Sequence, residues 1–186
     1  VRNPPVKYED GTIGLPVYHE FIAKFAELIR VNRDGKIIGK SRLTSGSDTL
    51  QPTIVATGAR QAIALLRYAG KPPKQLMMVD TEDGGRTWHH PRQLELPNPD
   101  AAVAAIAIND MTLAVLNNSS TRRNDLSLAV SIDDNWRAFH QLEFAEPETL
   151  SEFSYPAMTR DADGIVHILY TWNRKLIKHI AFNETW

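Results

Sequence analysis

The sequence predicts an all-β chain folded as a β-propeller of four-stranded antiparallel blades. Three observations lead there. Short apolar runs of strand length alternate with turn residues along the whole chain. From Gln51 onward these runs recur in groups with a period of roughly 45–50 residues, the range of propeller blades. Two of the groups carry a related turn motif before their fourth run: TEDGGRTW at residues 81–88 and a degraded copy, SIDDNW, at 131–136.

Taken in order, the opening VRNPPVKYEDGTIGLP is rich in proline and glycine and reads as loop leading into strands. Runs at 18–21, 24–31 and 36–43 follow, with Asn32-Arg33-Asp34-Gly35 as a hairpin turn. Ile22, Phe25, Ala26 and Ile29 would also share one face of a helix. The hairpin turn asks for a strand pair, so a strand is expected there. The next group has runs at 53–57, 62–68, 75–81 and 87–96, and the one after it at 100–108, 112–118, 125–131 and 136–144. A third begins with 155–159, 165–171 and 176–182 and ends in FNETW at Trp186. The expected division is 1–46 as the end of one blade, 47–97 and 98–146 as whole blades, and 147–186 as the last.

A blade buries its faces only against its neighbours, and closing the ring removes the exposed edges. About half a ring is therefore expected here. Its two open apolar faces would meet either a missing N-terminal half or a second copy of the chain. With Val1 rather than methionine at its start, the chain is expected to be the C-terminal portion of a longer protein.

Composition narrows the function. Lys and Arg number 21 against 22 Asp and Glu, for a formal net charge of −1. That balance gives no support for nucleic acid or a membrane surface as partner. There is no cysteine, so disulfides and thiolate chemistry are excluded, while periplasm, secretion and cytoplasm all stay open. No apolar run approaches the ~20 residues of a membrane-spanning helix. The sequence has no Gly-rich phosphate loop, no G-x-S-x-G elbow and no zinc or EF-hand spacing. His89 and His90 are a poor metal pair, because adjacent strand residues face opposite ways. Neither a cofactor nor a metal is expected.

The motif at 81–88 has its own chemistry. The Asp83 carboxylate can accept N–H groups across a tight reversal, Gly84 and Gly85 supply positive φ, and Trp88 can tuck under the sheet. In its S/T-x-D-x-G-x-T-W spacing it resembles the Asp-box of sialidases and related propellers, a structural turn between the third and fourth strands of a blade. The resemblance extends to the sialidase (neuraminidase) superfamily and its bacterial BNR-repeat relatives. It implies a six-bladed ring and an exo-acting glycoside hydrolase, in which arginines fork onto the substrate carboxylate and a tyrosine is the nucleophile.

Carried over residue by residue, the resemblance places Arg67 on the family's second arginine, in QPTIV…IALLR before the intact box. Arg123 falls on the third, ahead of Ser131 and Asp133 of the degraded box. Tyr155 falls on the nucleophile, in SYPAM followed by Asp163-Gly164 and Leu169-Tyr170. Gln51 stands where the family carries the glutamate that activates the tyrosine, and a glutamine takes no proton. The first arginine and the acid/base aspartate find no counterpart and are expected upstream.

Other candidates come from the residues themselves. Tyr18-His19-Glu20 opens a run with an imidazole between a phenol and a carboxylate, within an L-P-x-Y-H-E stretch similar to one in BNR-repeat proteins. His19 is the best acid/base candidate, because an unperturbed imidazole titrates near the working pH, with Glu20 beside it. Asp100 starts its run at the blade position of Gln51, and Asn117 ends its run at the position of Arg67, a place for hydroxyl-binding amides. Trp172, Arg174 and His179 are open to a rim role or to plain packing. The expected function is a sialidase-like hydrolase of an acidic carbohydrate, with Tyr155, His19, Glu20 and Gln51 at the reaction centre and Arg67, Arg123, Asp100 and Asn117 binding substrate. Two alternatives stand beside it: a propeller that binds carbohydrate without hydrolysis, and a lyase or non-sialic glycosidase acting on an acidic polysaccharide.

Overall fold

A computed structural model describes residues 2–183, and these contain fifteen strands and no helix. The first sheet runs β1 (Val6–Lys7), β2 (Ile13–His19), β3 (Phe25–Val31) and β4 (Ile37–Arg42). The second runs β5 (Thr49–Ala56), β6 (Ala62–Tyr68), β7 (Gln75–Thr81) and β8 (Arg92–Pro97). The third comprises β9 (Ala104–Ile108), β10 (Met111–Leu116), β11 (Asp125–Ile132) and β12 (Asn135–Phe144). The last has three strands, β13 (Phe153–Arg160), β14 (Val166–Trp172) and β15 (Leu176–Phe182). Every neighbouring pair is antiparallel and joined in chain order, and no sheet closes on itself.

The sheets pack face to face in sequence, as successive propeller blades do. Strand alternation sorts each strand's side chains between two cores. On β6, Ala62, Ala64 and Leu66 turn toward the first sheet and pack with Val6, Leu28 and Leu43. Leu65 turns the other way, onto Ala114 and Leu116 of the third sheet and Val103 just ahead of it. Between the third and last sheets, Val115, Leu126 and Leu128 meet Phe153, Ile168 and Tyr170. Each leucine sealed in this way contributes about 1.5–3 kcal/mol. β5 and β11 are accordingly buried along nearly their whole length, polar residues included, since both their faces are covered. In the end sheets one face is less covered: β2 alternates buried with half-buried residues, and Leu169 and Ile177 of the last sheet are exposed.

The structure moves several expected boundaries. The opening stretch is not all loop, because β1 lies inside it and β2 begins at Ile13. The residues before Gln51 therefore make a sheet of four strands, the first only two residues long. Residues 22–30 belong to no helix, and the strand begins at Phe25. The expected run at 87–96 becomes a strand only from Arg92, since the motif's turn continues past Trp88. Likewise 100–103 lie outside β9, because Asp100 has a left-handed backbone. Of the terminal FNETW, Glu184 to Trp186 lie outside the described residues.

The turn motif behaves as its chemistry predicts. Asp83 Oδ1 accepts the backbone N–H of Arg86 at 2.8 Å and of Thr87 at 3.0 Å, and Oδ2 accepts the Thr87 hydroxyl at 2.7 Å. Burial works against the Asp83 carboxylate, but hydrogen bonds from Thr87, Thr81 and Arg86 outweigh it and hold its pKa down to about 2. Gly84 and Gly85 have φ of 73° and 72°. At Gly85 a Cβ would lie 2.3 Å from Leu28, so glycine is required there for close packing on the first sheet as well. Trp88 packs against the core between the first two sheets, and its indole N–H donates to Ser41 at 3.2 Å. In the degraded copy the reversal shrinks to a two-residue hairpin between Ile132 and Asn135, with Asp133 and Asp134 taking the left-handed conformations.

Candidate functional site

A repeated backbone device aims side chains at the place where the sheets converge. Gln51 and Pro52 on β5 stand opposite the single residue Leu66, and Tyr155 and Pro156 on β13 stand opposite Tyr170. Each is a β-bulge, and each has a proline where the ladder is broken and no N–H is needed. Gln51 and Tyr155 have φ of 49° and 55°. Asp100, ahead of β9, has φ of 56°, held by the Asn98 side chain accepting the Ala101 N–H at 2.9 Å. A left-handed conformation costs a side-chain-bearing residue about 1–2 kcal/mol, and here it recurs at three matching blade positions. Strain of this kind concentrates at functional sites.

Gln51 and Tyr155 line one recess of about 620 Å³ together with Arg2, Tyr18, Glu20 and Arg67. The Arg67 guanidinium donates through Nε to Asp100 Oδ1 at 2.5 Å and through Nη1 to Gln51 Oε1 at 3.3 Å. These bonds fix a side chain that is only 11 % exposed and leave three of its five N–H groups for a ligand.

Arg2 was not foreseen, because its segment reads as a proline-rich loop. The segment instead runs past all three inner strands. Asn3 Nδ2 donates to the carbonyls of Gln51 and Pro52 at 3.2 and 2.8 Å. Arg2 donates to the Val103 carbonyl at 3.2 Å and to that of Pro156 at 2.5 Å. Its Cζ lies 5.8 Å from the Tyr155 ring centre. Burial lowers the Arg2 pKa, the phenols of Tyr18 and Tyr155 oppose the shift, and the charge of Arg67 adds to it. A guanidinium stays charged throughout the working pH range.

Arg123 approaches Tyr155 from elsewhere. Its Cζ lies 5.3 Å from the ring centre, and its N–H groups reach the Asp100 carbonyl at 3.1 Å and Glu152 at 3.4 Å. It lines a second recess, with Arg122, Glu152 and Arg174, that shares Tyr155 as a wall. Arg67 and Arg123 therefore line neighbouring recesses rather than the same one. Burial would raise the Glu152 pKa, but hydrogen bonds from Ser154 and Arg174 and the charges of Arg174 and Arg123 hold it below the usual glutamate range. Glu152 also went unforeseen.

Three expected residues line neither recess: Asp100, which reaches the first only through its bond to Arg67, and His19 and Asn117. His19 faces the other way from Tyr18 and Glu20: its ring stacks on Phe25 at 4.3 Å and bonds Glu27 Oε2 at 2.8 Å. Strand alternation, applied from Glu20, would have chosen Tyr18 instead. Asn117 is fully buried, and its amide donates to the carbonyls of Asp125 and Phe153 at 2.8 Å each, tying the third sheet to the last. Among the described residues no group of three or more His, Asp or Glu side chains is placed to hold a metal ion.

Comparison with known proteins bears on the fold. The family model described as BNR repeat-like domain matches residues 1–168. No curated protein sequence matches the chain. Among solved structures, the NanB sialidase of Streptococcus pneumoniae, as its K499G mutant, superposes with a TM-score of 0.76 at 12% identity, covering 97% of this chain and 30% of that one. The intramolecular trans-sialidase of Ruminococcus gnavus gives 0.73 at 15% identity, covering 97% and 43%. A protein of unknown function from Dyadobacter fermentans gives 0.72 at 15% identity, covering 92% and 49%. At such identities the likeness is one of fold, a sialidase-like β-propeller, and the chain spans less than half the length of each of the three.

Proposed function

The chain belongs to the BNR repeat-like domain family, and from that membership we propose that it forms part of a sialidase-like exo-glycoside hydrolase acting on an acidic sugar. The observation that carries this reading is Tyr155, turned inward by its bulge into a recess that also holds the guanidinium groups of Arg2 and Arg67. The sugar's carboxylate would lie against those two groups, since a guanidinium fork matches a carboxylate with paired N–H bonds. Tyr155 would then attack the anomeric carbon as the bond to the leaving group breaks, its phenol proton passing to water because Gln51 cannot accept it. Glu20, on the rim of the same recess, would protonate the leaving oxygen. Water would release the sugar from the tyrosine in a second step.

Gln51 supports a second reading, carbohydrate binding without hydrolysis. Its amide oxygen accepts from Arg67, and an amide cannot take the phenol proton. Both readings share the acidic-sugar recess and differ only in turnover.

The test is to titrate the full chain with free sialic acid and galacturonic acid by calorimetry, and to assay aryl glycosides of both. An acidic sugar should bind, and Arg67→Ala should weaken it at least tenfold. Turnover abolished by Tyr155→Phe would establish the hydrolase, and binding without turnover the second reading. Equal affinity for acidic and neutral sugars would overturn both.

A further inference from the structure

Across the Tyr155 wall lies the second recess, of about 490 Å³. We propose that it is a subsite for a second anionic unit, so that the ligand is an acidic oligosaccharide with a carboxylate or sulfate on each of two adjoining units. The inference rests on the reading of the first recess as an acidic-sugar site.

Charge is the first argument. Arg122, Arg123 and Arg174 line the recess against the single carboxylate of Glu152. Two positive charges are therefore left uncompensated in a concave surface, which draws in an anion. The guanidinium groups are held in place but not saturated. Arg174 gives Nε and Nη2 to Glu152 at 2.9 and 2.8 Å, and Arg122 reaches the Pro147 carbonyl. Each keeps further N–H groups for a ligand, and the Arg174 side chain is 78% exposed.

The backbone supplies an independent argument. Asn173 and Arg174 are the central pair of the turn closed by the Lys175 N–H on the Trp172 carbonyl at 3.0 Å, within the three-residue loop between β14 and β15, and have φ of 51° and 54°. The second position of such a turn is where glycine is favoured, because it takes that conformation without steric cost. An arginine there is presented at the expense of turn stability. The turn is also pinned: Asn173 donates its N–H to the Glu152 carbonyl at 2.7 Å and accepts the Glu152 N–H on its side chain at 2.8 Å. The same residue that neutralises Arg123 thus anchors the loop carrying Arg174. Leu150, almost fully exposed, and Pro99 add apolar surface suited to the C–H face of a sugar ring.

Calorimetry on the full chain tests this with galacturonic acid and its dimer, sialic acid and its α2,8-linked dimer, and 3′-sialyllactose, in which only one unit is charged. A doubly charged dimer should bind at least tenfold more tightly than its monomer, and sialyllactose should not share the gain. Arg174→Gly keeps the turn and removes the guanidinium, and it should bring the dimer-to-monomer ratio to about one. Arg122→Ala should lower the ratio as well. A ratio near one in the unaltered chain, or an unchanged ratio in both variants, would overturn the subsite. Dimer binding that depends on Arg174 without any monomer binding would instead uphold the subsite and overturn the first recess. If no acidic sugar binds, both fall.

Discussion

Asp83→Asn isolates what a single carboxylate contributes to a blade. In the folded chain this group accepts the N–H groups of Arg86 and Thr87 and the hydroxyls of Thr81 and Thr87. Asparagine keeps one acceptor oxygen but turns an NH₂ group toward the Thr87 N–H, setting donor against donor. The native pKa of about 2 lies below the ordinary 3.8, and at about 1.4 kcal/mol per pKa unit this gives an upper value of about 2.5 kcal/mol. Water screens a partly exposed carboxylate, which brings the expected loss at pH 7 to about 1–2 kcal/mol. Because the native pKa is depressed, the contribution is complete above about pH 4 and disappears as the pH falls through 2. Urea unfolding of both proteins at pH 7, 4 and 2.5 reads this directly. The two stabilities should differ at pH 7 and draw together in acid. A variant as stable as the parent at pH 7, or a gap that stays constant down to pH 2.5, would refute the reasoning.

Three further outcomes are expected. Asn117→Ala should cost about 1–3 kcal/mol of stability in urea titration, because two buried carbonyls lose their donor, while acidic-sugar affinity per folded molecule stays within twofold. His19→Ala should leave both turnover and sugar affinity within twofold, since the imidazole faces Glu27 and Phe25; a tenfold loss in either would return His19 to the reaction centre. Gln51→Glu places a proton acceptor in the Tyr155 recess and should raise kcat on an aryl glycoside of the acidic sugar that binds, by at least tenfold. No gain, with binding retained, would remove Gln51 from any catalytic account.

The fold was legible because two periodicities agree. The two-residue alternation marks strands, and the longer period of the blades is pinned by a turn whose Asp83 hydrogen bonds stay within residues 81–87. The site was legible only in part. Arg67, Gln51 and Tyr155 follow from the resemblance of their stretches to the sialidase pattern, Asp100 follows from its place at the blade position of Gln51, and Pro52 and Pro156 mark the bulges to a reader who asks what a proline does inside a strand. Arg2 was hidden because its contacts go to the carbonyls of Val103 and Pro156, far along the chain, and no local pattern encodes them. Asn117 misled for the opposite reason. A polar residue at a strand end suits a ligand, and it equally suits a neighbouring sheet's unpaired carbonyls. For His19 the fault was one of phase, since the residues on either side are those that face the recess.

The bulges that turn Gln51 and Tyr155 inward, and the turn that does the same for Asp100, have a bearing on how such proteins diversify. In each case the main chain does the turning, so the inward residue is a socket rather than a commitment. An amide, a carboxylate and a phenol already fill the three sockets of this one chain. A descendant could exchange any of them by a single codon change without altering a core contact. Reaction type would then drift far faster than architecture, with one scaffold passing between cleaving a sugar and merely holding it.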